Sequence, residues 1–193
     1  MKLTEIEKKV RKELDKERYR HTMGVMYTAA SLAMAHGGDL EKAMYAGLLH
    51  DCAKCIPNDK KMQLCIKNKI EITPSEQKSP FLLHAKLGAF LAREQYGVKD
   101  LEVLHAIRVH TTGAPYMNLL DKILYIADYI EPNRDKAPNL PRVRIAAFQD
   151  LNETMKLILQ DTLHYLKEGK GEFDPMTIKA YEYFTQTNKE ESI

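Results

Sequence analysis

Two adjacent residues, His50 and Asp51, close the apolar stretch AGLLHDCAK. Both side chains therefore leave from backbone expected to be buried or half-buried. A neutral imidazole and a carboxylate together suit a borderline divalent ion such as iron, manganese or zinc. Successive side chains on a helix point about 100° apart, so this pair converges only where the helix end loosens or an ion sits between them. The plainer alternative is a helix-end histidine beside a capping acid. Four further residues shift the balance. His21 opens the stripe His21, Val25, Thr28, Ala29, Leu32, which puts it on a core face. Asp128 lies in KILYIADYIEP, in register with Asp121, Leu124 and Tyr125. A carboxylate there is costly unless a cation or hydrogen bonds meet it; a salt bridge to an arginine is its structural alternative. His84 shares a face with Phe81, Gly88 and Leu91, and His110 ends a helix just before Thr-Thr-Gly. A lone histidine is ordinarily a satisfied core residue. Six polar groups buried together without a shared task would be an expensive coincidence.

The elements that must position these residues read as helix after helix. Thr4 and Glu7 fit a capping box for a helix with Ile6, Val10 and Leu14 on one face. A second helix runs from about Arg18 to Ala35 and closes at Gly37-Gly38. Asp39 and Asp100 are suited to cap the helices after them. Ser79-Pro80 fits an N-cap and first helical position for a helix through Tyr96. Asn118 to Glu131 is helical, and Pro132 to Pro141 is a loop. A long helix to about Glu168 ends in a turn at 169–171, and Asp174-Pro175 opens the last helix. Strand signals are almost absent. The expectation is an all-α fold of about eight or nine helices, forming one domain over 1–193.

The chain has 193 residues, of which 44% are hydrophobic and 29% charged, which excludes general disorder. A net charge of +2 argues against a dedicated nucleic-acid binder but leaves room for a local phosphate pocket. No apolar run is long enough to span a membrane. The N-terminus MKLTEIEKKVRKELDKE is charged throughout and unlike a secretory signal. Three cysteines are too few, and odd in number, for a disulfide framework, which fits the cytoplasm. Cys52 and Cys55 form a lone C-x-x-C, set aside as a thiol site. His36, His105 and His164 are set aside as surface or structural residues.

His21, then His50-Asp51, then the distant Asp128 form a pattern that resembles the HD-domain phosphohydrolase superfamily. The segments RYRHTMGV, AGLLHDCAK, LLHAKLGA, IRVHTTG and LYIADYIEPNR, in this order and spacing, resemble its YqeK group. The likeness covers roughly residues 15–150, and more loosely the remainder. It implies an HD-type helical bundle with core motifs at about 18–134 and C-terminal helices at about 142–188. It also implies a cytoplasmic bacterial hydrolase that cuts diadenosine tetraphosphate symmetrically to two ADP, and a loosely held homodimer. His21, His50, Asp51 and Asp128 match the metal ligands of that group, for iron first, with manganese, cobalt or zinc as alternatives and one or two ions. His84 and His110 match histidines that face phosphates or help hold a second metal. Lys54 matches the phosphate-contacting lysine of HD-x-x-K, and Arg134 and Arg18 match basic positions near the nucleotide. Cys52 departs from the pattern, standing where many relatives carry an aromatic residue.

The implied chemistry is physically coherent. Two carboxylates offset the charge of a divalent ion, which could lower the pKa of a bound water. Phosphoanhydride cleavage then rests on positioning and charge stabilisation. Asp51, Lys54, His84 and His110 are the candidate catalytic residues. Arg18, Lys54, His84, His110, Thr111, Arg134, Lys170 and Gly171 are the candidate substrate contacts, with His84 or His110 expected in protonated form. A pocket that anchors one nucleoside against the 169–174 turn and admits two phosphates would place the cut between the second and third phosphates. Alternatives are another HD nucleotidase or phosphodiesterase, and a nucleotide sensor without turnover. A ferritin-like carboxylate bundle is disfavoured, since only Glu102 to His105 has the Glu-x-x-His spacing.

Overall fold

The computed structural model describes residues 1–168 and 174–186. Among these the fold is all-helical: α1 Leu3–Glu13, α2 Lys16–Ala35, α3 Leu40–Leu49, α4 Asn58–Lys67, α5 Pro74–Lys78, a 3-10 turn at Pro80–Leu82, α6 Leu83–Glu94, α7 Leu101–Val109, α8 Leu119–Ile130, α9 Leu140–Ala147, α10 Leu151–Glu168 and α11 Pro175–Gln186. The 169–171 turn, with Lys170 and Gly171, lies outside the described residues.

Local chemistry accounts for most helix starts. Asp15, Asp39 and Asp100 cap α2, α3 and α7, their carboxylates accepting from amides of the first turn. Asn118 and Asp121 form a reciprocal capping box for α8. Two expected starts fall elsewhere. Thr4 lies inside α1, and Glu5 supplies the acceptor for the Lys2 amide at 3.1 Å. Ser79 makes no side-chain cap; Thr73, Pro74 and Glu76 cap the short α5 instead, and Pro80 opens only a 3-10 turn.

The helix count exceeds eight or nine for two further reasons. Helix α4 carries Lys61 beside Cys65 on its buried side, which blurs its apolar stripe. The expected long C-terminal helix is two, because Asp150 accepts from Asn152 N and Glu153 N and restarts the chain as α10.

Helices α2, α3, α7 and α8 pack on one another around the middle of the molecule, with α6 against α7 and α10 against α8. Val25, Leu32, Leu48, Leu49, Ile107, Ile123 and Leu124 are buried there, each removal from water contributing about 1.5–3 kcal/mol. The approach of α3 to α2 needs a glycine: a Cβ on Gly47 would lie 2.6 Å from Met26 Cα. Among the described residues no helix is long and apolar enough to cross a membrane.

Candidate metal centre

Helix α3 stops at Leu49 and the chain turns at once, so His50 and Asp51 leave a loosened helix end and face one region. His21 arrives from α2, His84 from the first turn of α6, His110 from the end of α7, and Asp128 from the last turn of α8. Five of the six are buried, and Asp128 keeps 21% of its side chain exposed.

Their ligand atoms crowd together. His21 Nε2 lies 3.0 Å from Asp128 Oδ1, 3.3 Å from His50 Nε2 and 3.8 Å from Asp51 Oδ2. His50 Nε2 is 3.4 Å from Asp51 Oδ2. The other oxygen of Asp51 faces the remaining pair: Oδ1 is 3.3 Å from His84 Nε2 and 3.7 Å from His110 Nε2. These two imidazole nitrogens are 3.2 Å apart.

The opposite edge of each ring is tied down. His50 Nδ1 donates to Gly47 O at 2.8 Å, His84 Nδ1 to Phe81 O at 2.6 Å and His110 Nδ1 to Ile107 O at 2.7 Å. A carbonyl only accepts, so Nδ1 carries a proton in each ring and Nε2 is the atom turned to the centre. His21 Nδ1 donates likewise to Glu131 Oε1 at 3.1 Å. Four imidazole nitrogens and two carboxylates thus converge on one buried region. Asp51 Oδ1 is buried and accepts no hydrogen bond. The donor set of imidazole nitrogen and carboxylate oxygen fits a divalent transition ion. Three ligand triads are close enough to hold one: His21, His50 and Asp51; His50, His110 and Asp128; Asp51, His84 and His110.

Burial alone would raise both carboxyls, but neighbouring imidazoles outweigh it, chiefly His50 for Asp51 and His21 for Asp128. Both carboxyls are held well below the usual range. Burial, reinforced by His110 and Lys54, holds His84 well below the usual imidazole value. Burial thus works, in the case of His84, against the positive charge at phosphate expected of His84 or His110.

The cations gather at the rim. Lys54 Nζ is 3.2 Å from His84 Nε2, and Thr111 Oγ1 is 3.1 Å from both His84 Nε2 and His110 Nε2. Arg18 Nη1 donates to Asp51 Oδ2 at 2.8 Å, and Arg134 Nη2 to Asp128 Oδ1 at 2.8 Å. Asp128 thus has both the arginine partner of its structural reading and the histidine neighbours of its functional one. A cavity of about 760 Å³ opens beside this rim, lined by Arg18, His21, Tyr129 and Arg134 among others. A separate groove of about 530 Å³, along Lys69, Phe90 and Arg108, holds none of the candidate residues.

Three residues of this centre were not singled out from the sequence. Glu131 is 1% exposed and orients His21; Asn133 N and Nδ2 each donate to its other oxygen at 2.8 Å. Gly24 clears the space, since a Cβ there would overlap Glu131 Oε2. The available signal was an acid and an amide in the EPN turn that ends an apolar helix. The set-aside residues lie apart: Cys52 is buried against Gly88 O, Cys55 is exposed beside Asp15, and His36, His105 and His164 bond Ala147 O, Asp121 and Glu168.

Comparisons with known proteins cover the chain that carries this centre. A family model for the HD domain matches residues 18–133. The symmetrical bis(5'-nucleosyl)-tetraphosphatase of Halalkalibacterium halodurans is 42% identical over 176 residues, covering 89% of this chain and 91% of its own. That of Bacillus subtilis is 39% identical, covering 90% and 92%. A solved structure from Clostridium acetobutylicum, of a predicted HD superfamily hydrolase involved in NAD metabolism, superposes with a TM-score of 0.93 at 38% identity, covering 97% of this chain and 98% of its own. With the His and Asp residues of the motif gathered in one buried centre, and relatives matched over nearly their whole length, the chain belongs to the HD domain family and, within it, to the YqeK group.

Proposed function

We propose that this chain is a symmetrical bis(5'-nucleosyl)-tetraphosphatase that cleaves diadenosine tetraphosphate to two ADP with a divalent metal, iron first among the candidates. The observation that carries the metal reading is the convergence of four imidazoles, each with Nδ1 engaged, on Asp51 and Asp128. His21, His50, Asp51 and Asp128 would hold the ion. Asp51 offers its second oxygen to His84 and His110, so the chain can hold a second ion there. When bound, such an ion supplies Lewis acidity and a lowered pKa for water.

The chain's own groups do the rest. Lys54 and Thr111 stand within reach of His84 and can donate to non-bridging phosphate oxygens. Arg18 and Arg134 can exchange carboxylate for phosphate at the same rim, where a charged hydrogen bond is about twice as strong as a neutral one. His84 and His110 hold their nitrogens toward the reacting region, and burial works against a charge on His84. The cavity of about 760 Å³ beside Arg18 and Arg134 supports a nucleoside seated next to the phosphates. We read the chain as one domain acting in the cytoplasm, with a homodimer as its assembly and no nucleic-acid or membrane partner.

Metal analysis of freshly purified protein, coupled to anion-exchange chromatography of early products, tests this reading. ADP as the only initial nucleotide product, with iron or another divalent ion retained, is expected. Equal early amounts of AMP and ATP would overturn the symmetrical cut while leaving the metal centre standing. Tight ADP binding without turnover would make the chain a sensor.

A further inference from the structure

Arg144, on α9, touches none of the candidate ligands, yet its guanidinium reaches the segment that carries two of the centre's partners. Its Nε donates to Ile130 O at 2.9 Å, and its Nη2 donates to Glu131 O at 3.0 Å and to Arg134 O at 2.9 Å. Ile130 is the last residue of α8, and 131–134 is the turn after it. A helix end leaves its final carbonyls without amide donors, and a cation there also meets the negative end of the helix dipole. A guanidinium is a permanently charged planar fork, able to hold several carbonyls at once. The fork stands on a fixed base, because Leu140, Val143 and Ala147 of the same short helix are buried.

The clamped turn does two things. Through Glu131 it orients the His21 ring, and through Arg134 it sets a cation against Asp128. The Glu131 carbonyl also accepts from Arg134 N at 3.0 Å, so the turn is closed on itself and pinned from outside at the same oxygen.

We propose that Arg144 is a positioning residue for the centre: by holding the 131–134 turn it sets both the His21 imidazole, through Glu131, and the phosphate-facing guanidinium of Arg134. The inference rests on the reading of the centre given under Proposed function. It separates Arg144 from a residue that only supports the fold, because a fold-supporting residue changes stability without acting through Glu131 and Arg134 in particular.

The test is a pair of double-mutant cycles read on ADP affinity by calorimetry and on metal affinity by competition with a chelator. Arg144→Met alone should weaken ADP and metal about tenfold each. In an Arg134→Ala background the ADP loss should shrink to within about twofold, and in a Glu131→Ala background the metal loss should shrink likewise. Equal losses in wild-type and mutant backgrounds would overturn the proposal. So would a lowered Tm with both affinities unchanged. If Arg144→Met does not fold, Arg144→Lys, which keeps charge but cannot span the same carbonyls, carries the same cycles. Should the wild type release no ADP from diadenosine tetraphosphate and bind none, the substrate reading fails, and the metal arm still decides the role of Arg144.

Discussion

Asp51 and Asp128 carry the only two carboxylates among the six residues that converge, and each faces at least two imidazole nitrogens. Asp51→Ala and Asp128→Ala should each abolish hydrolysis and sharply lower metal content by elemental analysis; either variant with full metal and full turnover would remove it from the ligand set. Lys54 and Arg134 stand one step out. Lys54→Ala and Arg134→Ala should keep the metal and lose about 1.5–3 kcal/mol of ADP binding, roughly ten- to a hundredfold in Kd by calorimetry. Glu131→Gln should keep the fold and lower metal affinity about 10–100-fold in a chelator competition, because it weakens the acceptor that orients His21. The six central residues were legible in the sequence because a polar residue on an apolar helical face is conspicuous. Glu131 and Asn133 were not, because an acid at a helix end reads as solvated surface until the tertiary structure buries it.

At the scale of helices, two glycines make opposite predictions. A methyl on Gly47 meets the backbone of α2, which cannot yield. Overpacking of this kind costs about 1–3 kcal/mol, more than the roughly 1 kcal/mol alanine adds to helix propensity. Gly47→Ala should therefore lower Tm by several degrees in a thermal melt. A methyl on Gly24 meets the end of the Glu131 side chain, which can swing aside. Gly24→Ala should change Tm less but weaken metal binding, since His21 loses its acceptor. Charge at the caps gives a pH dependence. The Arg18 amide, then the Cys55 thiol, hold Asp15 below its ordinary 3.8. Burial opposes the same shift in Asp100, and the Lys42 ammonium outweighs it. A depressed carboxyl contributes stability above its unfolded value and loses it as pH falls through the folded one. Asp15→Asn and Asp100→Asn should melt below the wild type near neutral pH and converge with it below 3.8; a gap constant with pH would refute the charge effect. The aspartate caps were legible because capping is local. The break before α10 is hidden in the sequence, although Asp150 and Glu153 have capping spacing, because the apolar stripe on either side reads as continuous.

For the whole molecule, the centre joins α2, the end of α3, α6, α7 and α8, so an ion held there ties most of the bundle together. Binding to the folded state alone stabilises it by about 4 kcal/mol when free ion exceeds Kd a thousandfold. At about 2–4 °C per kcal/mol, chelation should lower Tm by roughly 8–16 °C, restored by adding the ion back. An unchanged melt after proven metal removal would place the ion outside this centre. The amino-acid sequence by itself determined the helical class, the aspartate caps, the resemblance to HD hydrolases and the residues that converge. Those rest on local periodicity, capping chemistry and ordered motifs, which need no knowledge of distant contacts. Only the tertiary structure decided that burial works against charge on His84, that Arg18 and Arg134 pair with Asp51 and Asp128, and that Glu131 and Arg144 stand behind the centre. Protonation depends on burial among groups far apart in the chain. Likewise, a guanidinium finds its partners through space: 33 residues separate Arg18 from Asp51, and 14 separate Arg144 from Ile130. No run of sequence states those distances, because they are set by how α2, α3, α8 and α9 pack.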